Sequence, residues 1–177
     1  MRDNKIRELT IISLLSVIIA ISGIIKLPGL IPGTEFQMSA PIAIGICATF
    51  GFKRYIYSGI IASFINILMG THTILNVIVA MIFRIVGGGL IGIFGNTIIA
   101  VTIAGPVGTI FGRVVMSFIT GVPVKALIIS ASIGMLYTSM LSYITFKLIK
   151  RITIKTPYKN FILDEYKIGE SSKNEII

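Results

Sequence analysis

Apolar runs occupy residues 9–25, 36–52, 55–69, 74–94, 97–119 and 124–146, and polar or helix-breaking residues separate them. A helix rises about 1.5 Å per residue and needs roughly 17–25 mostly apolar residues to cross a bilayer core. The pattern therefore predicts about six transmembrane helices, the third of them short. The breaks have chemistry suited to turns: Lys53-Arg54, Gly70-Thr71-His72-Thr73, Gly95-Asn96 and Gly121-Val122-Pro123. Residues 27–35 (LPGLIPGTE) hold two prolines and two glycines and read as a connection. That connection is apolar enough to pack on protein or dip into the membrane interface.

Composition agrees with lipid as the solvent for the middle of the chain. Of the 177 residues, 54% are hydrophobic and 13% charged, about half the roughly 25% charge of an ordinary soluble domain. Both ends are charged, whereas residues 9–146 are nearly free of charge. The expected fold is an all-α integral membrane bundle, with residues 1–150 as one transmembrane domain and 151–177 as a polar cytoplasmic tail. Residues 169–175 have the composition of a disordered end. Nothing near Lys26-Leu27-Pro28-Gly29 resembles a signal-peptide cleavage site, so the first apolar segment is expected to stay as a helix.

Charge sets the orientation. With a cytoplasmic amino terminus, the inner segments carry twelve Lys and Arg residues and the outer loops only Lys26 and Lys125. The positive-inside bias thus places both termini in the cytoplasm and explains the net charge of +9 without nucleic acid. A multi-pass protein of the plasma membrane is the expectation.

Arg84 and Arg113 fall inside predicted helices, where a charged side chain costs about 2.5–3.5 kcal/mol on insertion scales and usually faces a bundle interior or a wet cavity. Arg84 lies roughly 15 Å into the fourth helix, near the midplane, and Arg113 roughly 9 Å from the outer end of the fifth. His72, Asn76, Ala80, Arg84 and Gly88 recur every four residues and make one polar, small-residue stripe. Thr102, Thr109, Arg113, Ser117 and Thr120 fall close to one face of the fifth helix. Two stripes deepening from the outer surface point to an externally open site for a carboxylate or phosphate, which a guanidinium holds in bidentate fashion. The alternatives are that Arg113 snorkels to the interface and that Arg84 serves only to hold helices together. Glu35, the one acidic residue between Glu8 and Asp164, either pairs with an arginine, touches a ligand or stays solvated.

Several kinds of chemistry find no residues. One histidine, one cysteine and no clustered acids cannot assemble a triad or a carboxylate dyad, so no enzyme is expected. His72 has no partner histidine or cysteine in sequence to make a metal site, and no cofactor is implied. Cys47 lies in an apolar run and reads as a small buried residue. Gly87-Gly88-Gly89 lacks the Gly-Lys-Ser/Thr of a nucleotide loop and permits close helix approach or local unwinding. Gly105-Pro106 is expected to kink or interrupt the fifth helix. Ser13, Ser16, Ala20 and Gly23 form a small-residue ridge on the first helix.

With about six helices in under 200 residues, cytoplasmic termini, a long apolar first loop and a small-residue first helix, the chain resembles the substrate-binding S component of energy-coupling factor transporters. The resemblance covers residues 7–150. It implies uptake of a small micronutrient with a separate transmembrane coupling subunit and ATPases on other chains. That family docks through an Ala-xxx-Ala motif on its first helix, where this chain has Ser16-Val17-Ile18-Ile19-Ala20. By the same resemblance Glu35, Asn76, Arg84 and Arg113 face the ligand. The other readings are a stand-alone secondary permease, disfavoured because no deep carboxylate is available to carry protons, and a structural or assembly membrane protein.

Overall fold

The computed structural model describes the backbone of residues 2–28 and 35–163 and the side chains of residues 4–25 and 37–163. Six helices make the bundle: α1 (Arg2–Ile24), α2 (Ser39–Phe50), α3 (Phe52–Leu68), α4 (Ile74–Phe94), α5 (Ile98–Thr120) and α6 (Val124–Ile154). Segments of α1, α4, α5 and α6 are long and apolar enough to cross a membrane. Their outward faces carry Ile18, Phe64 of α3, Ile85, Ile103 and Leu136, all exposed in the isolated chain. Apolar side chains of this kind are stable facing lipid, so the protein is a multi-pass membrane bundle.

The connection after α1 is a small antiparallel hairpin, β1 (Lys26–Pro28) against β2 (Glu35–Gln37), with Leu27 opposite Phe36. The second helix accordingly begins at Ser39, not at residue 36, because residues 35–37 are used in β2. At 12 residues, α2 is roughly 18 Å long, short of the roughly 30 Å of a bilayer core. Its solution is to sit inside the protein: nine of those residues, from Pro41 to Phe50, are buried. Gly45 lets the α6 backbone approach, since a Cβ there would lie 3.0 Å from the Phe146 nitrogen. Gly51, at φ 87, ends α2 and starts α3 in a conformation that side chains disfavour.

The antiparallel pair α4 and α5 is held close by glycines. A Cβ on Gly108 would meet the Phe83 carbonyl oxygen at 2.9 Å, and one on Gly87 would meet that of Ala104 at 2.9 Å. Close packing is thus the role of Gly87 and Gly88 in this stretch, while Gly89 faces open space, and α4 continues through all three without unwinding. α5 likewise runs unbroken through Pro106, and Gly105 gives room for Thr138 of α6. Thr73 and Thr97 cap α4 and α5 by accepting from the Asn76 and Ala100 backbone N–H groups.

Ser16, Ala20 and Gly23 of the α1 small-residue ridge face inward, whereas Ser13 is exposed. Ser16 is 1% exposed and Ala20 3% exposed, where α1 packs on α3 and α2. Ser16 and Ala20, the residues expected to dock a partner, thus sit between helices of the same chain in this structure. Small residues allow close approach of whichever helix is available, and here the neighbours are helices of the same chain. α1's exposed face is instead Leu14, Val17, Ile18 and Ile21.

α6 is 31 residues long and passes its apolar stretch by about eight residues, roughly 12 Å. Residues 155–163 then turn back across the basic end of the bundle, where the Leu163 N–H donates to the Thr49 carbonyl at 2.8 Å. Arg54 stacks on the Phe161 ring, donates to its carbonyl at 3.3 Å and pairs with Glu8 at 3.2 Å. The first part of the expected tail is thus packed, while residues 169–175 lie outside the described residues.

Candidate functional site

At the hairpin end the helices enclose a cavity of about 480 Å³, within the usual range for small-molecule sites. Arg84 and Arg113 both line it, so the two stripes converge on one space. From the α4 stripe, His72, Asn76, Ala80 and Arg84 reach the wall; from α5, Thr109, Arg113 and Met116 do so. Gly88 instead packs against Phe52 and Tyr55. Ser117 and Thr120 bond the backbone at the end of α5, with Ser117 donating to Val122 and Thr120 to Met116.

Arg84 is 7% exposed and lies against α3. Its Nη1 donates to Ser63 Oγ at 2.8 Å and approaches Met81 Sδ at 3.6 Å. α3 accommodates the side chain because Gly59, one turn before Ser63, has no Cβ: one placed there would be 2.5 Å from Arg84 Nε. Arg113 is half-buried and rests on Met116, with Nη1 at 3.4 Å from the sulfur. A thioether is a weak acceptor and leaves a guanidinium's charge unbalanced. Among the described residues no carboxylate lies within ion-pair distance of either arginine.

Asn76 stands at the cavity's rim and is exposed. Glu35 is placed by its backbone opposite Pro28 in the hairpin, and its side chain lies outside the described residues. The rim also holds a contact absent from the sequence reading: Gln37 Nε2 is 2.9 Å from His72 Nε2, and Ser39 donates to Gln37 Oε1 at 3.3 Å. Asn66, 2% exposed, accepts the Thr71 and His72 N–H groups on its carbonyl and so shapes the α3–α4 turn.

The far wall comes from α6, which sequence reasoning missed: Leu127, Ser130, Ala131, Gly134 and Thr138. Their spacing of three and four residues was a usable signal, a stripe of small and hydroxyl side chains on an otherwise bulky helix. Chemically, the cavity offers two guanidiniums, a few hydroxyls and amides, and apolar walls from Ile19, Val79 and Phe83. Such a lining suits a small ligand with both anionic and apolar parts.

No family model matches the sequence, and no solved structure matches it. Protein BioX of Lysinibacillus sphaericus is 44% identical over 155 residues, covering 88% of this chain and 93% of that relative. Identity at this level along nearly the whole of both chains establishes kinship, and this helical membrane protein belongs to the BioX family.

Proposed function

We propose that the protein is the membrane-embedded capture subunit of an uptake system for a small anionic solute, a binding and transport component and not an enzyme. The observation that carries this reading is the convergence of Arg84 and Arg113 on one cavity, with no described carboxylate to neutralise them. Structural arginines in a membrane bundle are ordinarily paired or satisfied by carbonyls. These two have a hydroxyl and thioethers as their described side-chain partners, which leaves donors for a carboxylate or phosphate. The basic end, with Lys53, Lys147, Arg151 and Lys155 exposed, is assigned to the cytoplasm by the positive-inside bias. The cavity then opens toward the outside.

The resemblance to S components supports a division of labour in which a coupling subunit and ATPases on other chains drive release inward. The direct test is purification of the tagged chain from its native membrane in mild detergent, followed by identification of what accompanies it. A second membrane subunit with ATPases is the expected result. A ligand at a hundred times its dissociation constant should also stabilise the purified chain by about 2.7 kcal/mol.

One observation favours a second reading. Ser16 and Ala20, the small pair that an S component would present to its coupling subunit, are buried here, which suits a permease working alone. Solute uptake by vesicles that contain only this chain, without ATP, would decide for it.

A further inference from the structure

The basic end of α6 carries two rows of side chains that face away from the bundle. Ile144, Leu148 and Ile152 recur every four residues and are exposed, and so are Lys147, Arg151 and Lys155, the last just past the helix end. Positions three apart are neighbours on a helix surface. Each apolar side chain is therefore followed, nearer the basic end, by a cation: Ile144 by Lys147, Leu148 by Arg151 and Ile152 by Lys155. α6 contains no acidic residue, and among the described residues none of the three cations lies within ion-pair distance of a carboxylate. Like charges four apart on one helix repel, and only the last turn gains from the helix dipole.

Depth points to the partner of these rows. Counted from Val124, about 20 residues cross the roughly 30 Å hydrocarbon core, which brings its far edge near Tyr143, an aromatic residue of the kind that lines such edges. Lys147 and Arg151 follow roughly 6 and 12 Å beyond, in the layer of headgroups and at its rim. Lys147 Nζ lies 4.8 Å from the Tyr143 ring centroid, and Lys150 Nζ lies 5.6 Å from that of Phe146. Both ammoniums thus reach back one turn toward the hydrocarbon, as helical side chains tilt toward the helix start. A snorkelling lysine would extend the other way, into water. Leu148, exposed between the two cations, faces headgroups or water unless a hydrocarbon chain lies on it.

Independently of what the cavity binds, we propose that this face of α6 is a binding site for an anionic phospholipid of the leaflet at the basic end. The phosphate lies between Lys147 and Arg151, Lys155 adds charge from the water side, and an acyl chain runs toward the hairpin end along Leu148 and Ile144. Charge complementarity selects the lipid. The positive-inside bias sets this end in the cytoplasmic leaflet, whose surface potential is negative and draws each nearby Lys or Arg. Arg151 can hold two phosphate oxygens at once, whereas Lys147 acts as a point charge. A zwitterionic lipid offers the same chain and phosphate, but its own ammonium offsets the attraction.

The test uses the purified full chain in non-ionic detergent, with native mass spectrometry and thermal stabilisation as readouts. Phosphatidylglycerol is titrated against phosphatidylcholine with the same acyl chains, and glycerophosphate and inorganic phosphate serve as chain-free comparisons. Phosphatidylglycerol should bind at least about tenfold more tightly than phosphatidylcholine. Combining Lys147→Gln with Arg151→Gln should shrink that preference to about twofold or less. Lys125→Gln, which removes a cation at the hairpin end, should leave it intact, as should the charge-keeping pair Lys147→Arg and Arg151→Lys. Leu148→Asn should weaken both lipids alike. Equal binding of the two lipids, or a preference that survives the double glutamine variant, would overturn the site. Glycerophosphate or phosphate that stabilises as strongly as the lipid, and no longer does so in the double variant, would assign the row to a soluble anion and overturn the lipid. A double variant that keeps its lipid preference but loses a protein co-purifying from the native membrane would assign the row to that protein instead.

Discussion

Gly59 and Arg84 are a matched pair: the missing side chain on α3 is the trough in which the Arg84 guanidinium lies, so close that a Cβ would sit 2.5 Å from its Cδ and Nε. The fit explains how a charged side chain at membrane depth reaches Ser63 without pushing α3 and α4 apart. Gly59→Ala should displace the arginine and cost about 1–3 kcal/mol through overpacking. Combining it with Arg84→Ala should recover most of that loss, because the clash disappears with the side chain. Thermal unfolding of the two single variants and the double variant measures the coupling; simple additivity would mean that α3 gives way by itself.

Ser63 is the described side-chain oxygen that accepts from Arg84, at 2.8 Å. A hydrogen bond to a charged group contributes about 1.5–3 kcal/mol. Ser63→Ala should therefore destabilise the empty protein by about that amount, and Ser63→Thr much less, as it keeps the hydroxyl. An anion seated on Arg84 compensates for the lost acceptor. The penalty of Ser63→Ala should accordingly shrink when unfolding is followed with a saturating anionic ligand.

The sequence showed which faces were polar but not which neighbour each face would meet. On α4, Asn76, Ala80 and Arg84 shared a stripe whose only favourable destination was an interior, and they do line the cavity. On α1, Ser16 and Ala20 shared a stripe too, but small residues are compatible with any close neighbour, and within this chain they are buried where α1 packs on α3 and α2. The α6 wall was legible in spacing yet carries no charge, so Ser130, Gly134 and Thr138 did not stand out against a helix of Ile and Leu. Gln37 and His72 meet across 35 positions of sequence, and such a contact depends on how the hairpin folds over the helix ends. The short α2 was obscured because Phe36 and Met38 extend the apolar run ahead of it, although residues 36–38 belong to the hairpin and its turn.

That Gln37–His72 contact, 2.9 Å between side-chain nitrogens, ties β2 to the α3–α4 turn at the rim of the cavity. A side-chain hydrogen bond of this kind contributes about 0.5–1.5 kcal/mol, enough to bias a rim between closed and open without locking it. Gln37→Ala should raise amide exchange in the turn at residues 71–73 by several-fold while leaving α4 and α5 protected. Hydrogen exchange with mass spectrometry resolves these peptides. Unchanged exchange would show that the bonds donated by the Thr71 and His72 N–H groups to the Asn66 carbonyl hold the turn without the Gln37 contact.

At the opposite end, Arg54 organises the returning segment through more than its charge. Its pairing with Glu8 is partly solvent-screened, with side chains 27% and 46% exposed. An ion pair in that setting contributes about 0–1 kcal/mol, less at high salt. The same guanidinium also donates to the Phe50 and Phe161 carbonyls at 3.1 and 3.3 Å and stacks on the Phe161 ring. Those contacts fasten residues 155–163 over Gly51, where the Leu163 side chain fills the space that a Cβ would take. Glu8→Gln should thus change stability by less than about 1 kcal/mol, and added salt should erase the difference. Arg54→Ala should cost more, about 1–3 kcal/mol, because carbonyls and an aromatic face lose their partner together. Limited proteolysis separates the two effects. Cleavage near residues 155–163 should accelerate in Arg54→Ala, stay slow in Glu8→Gln, and be largely restored in Arg54→Lys only if charge, and not the planar fork of donors, is what the segment needs.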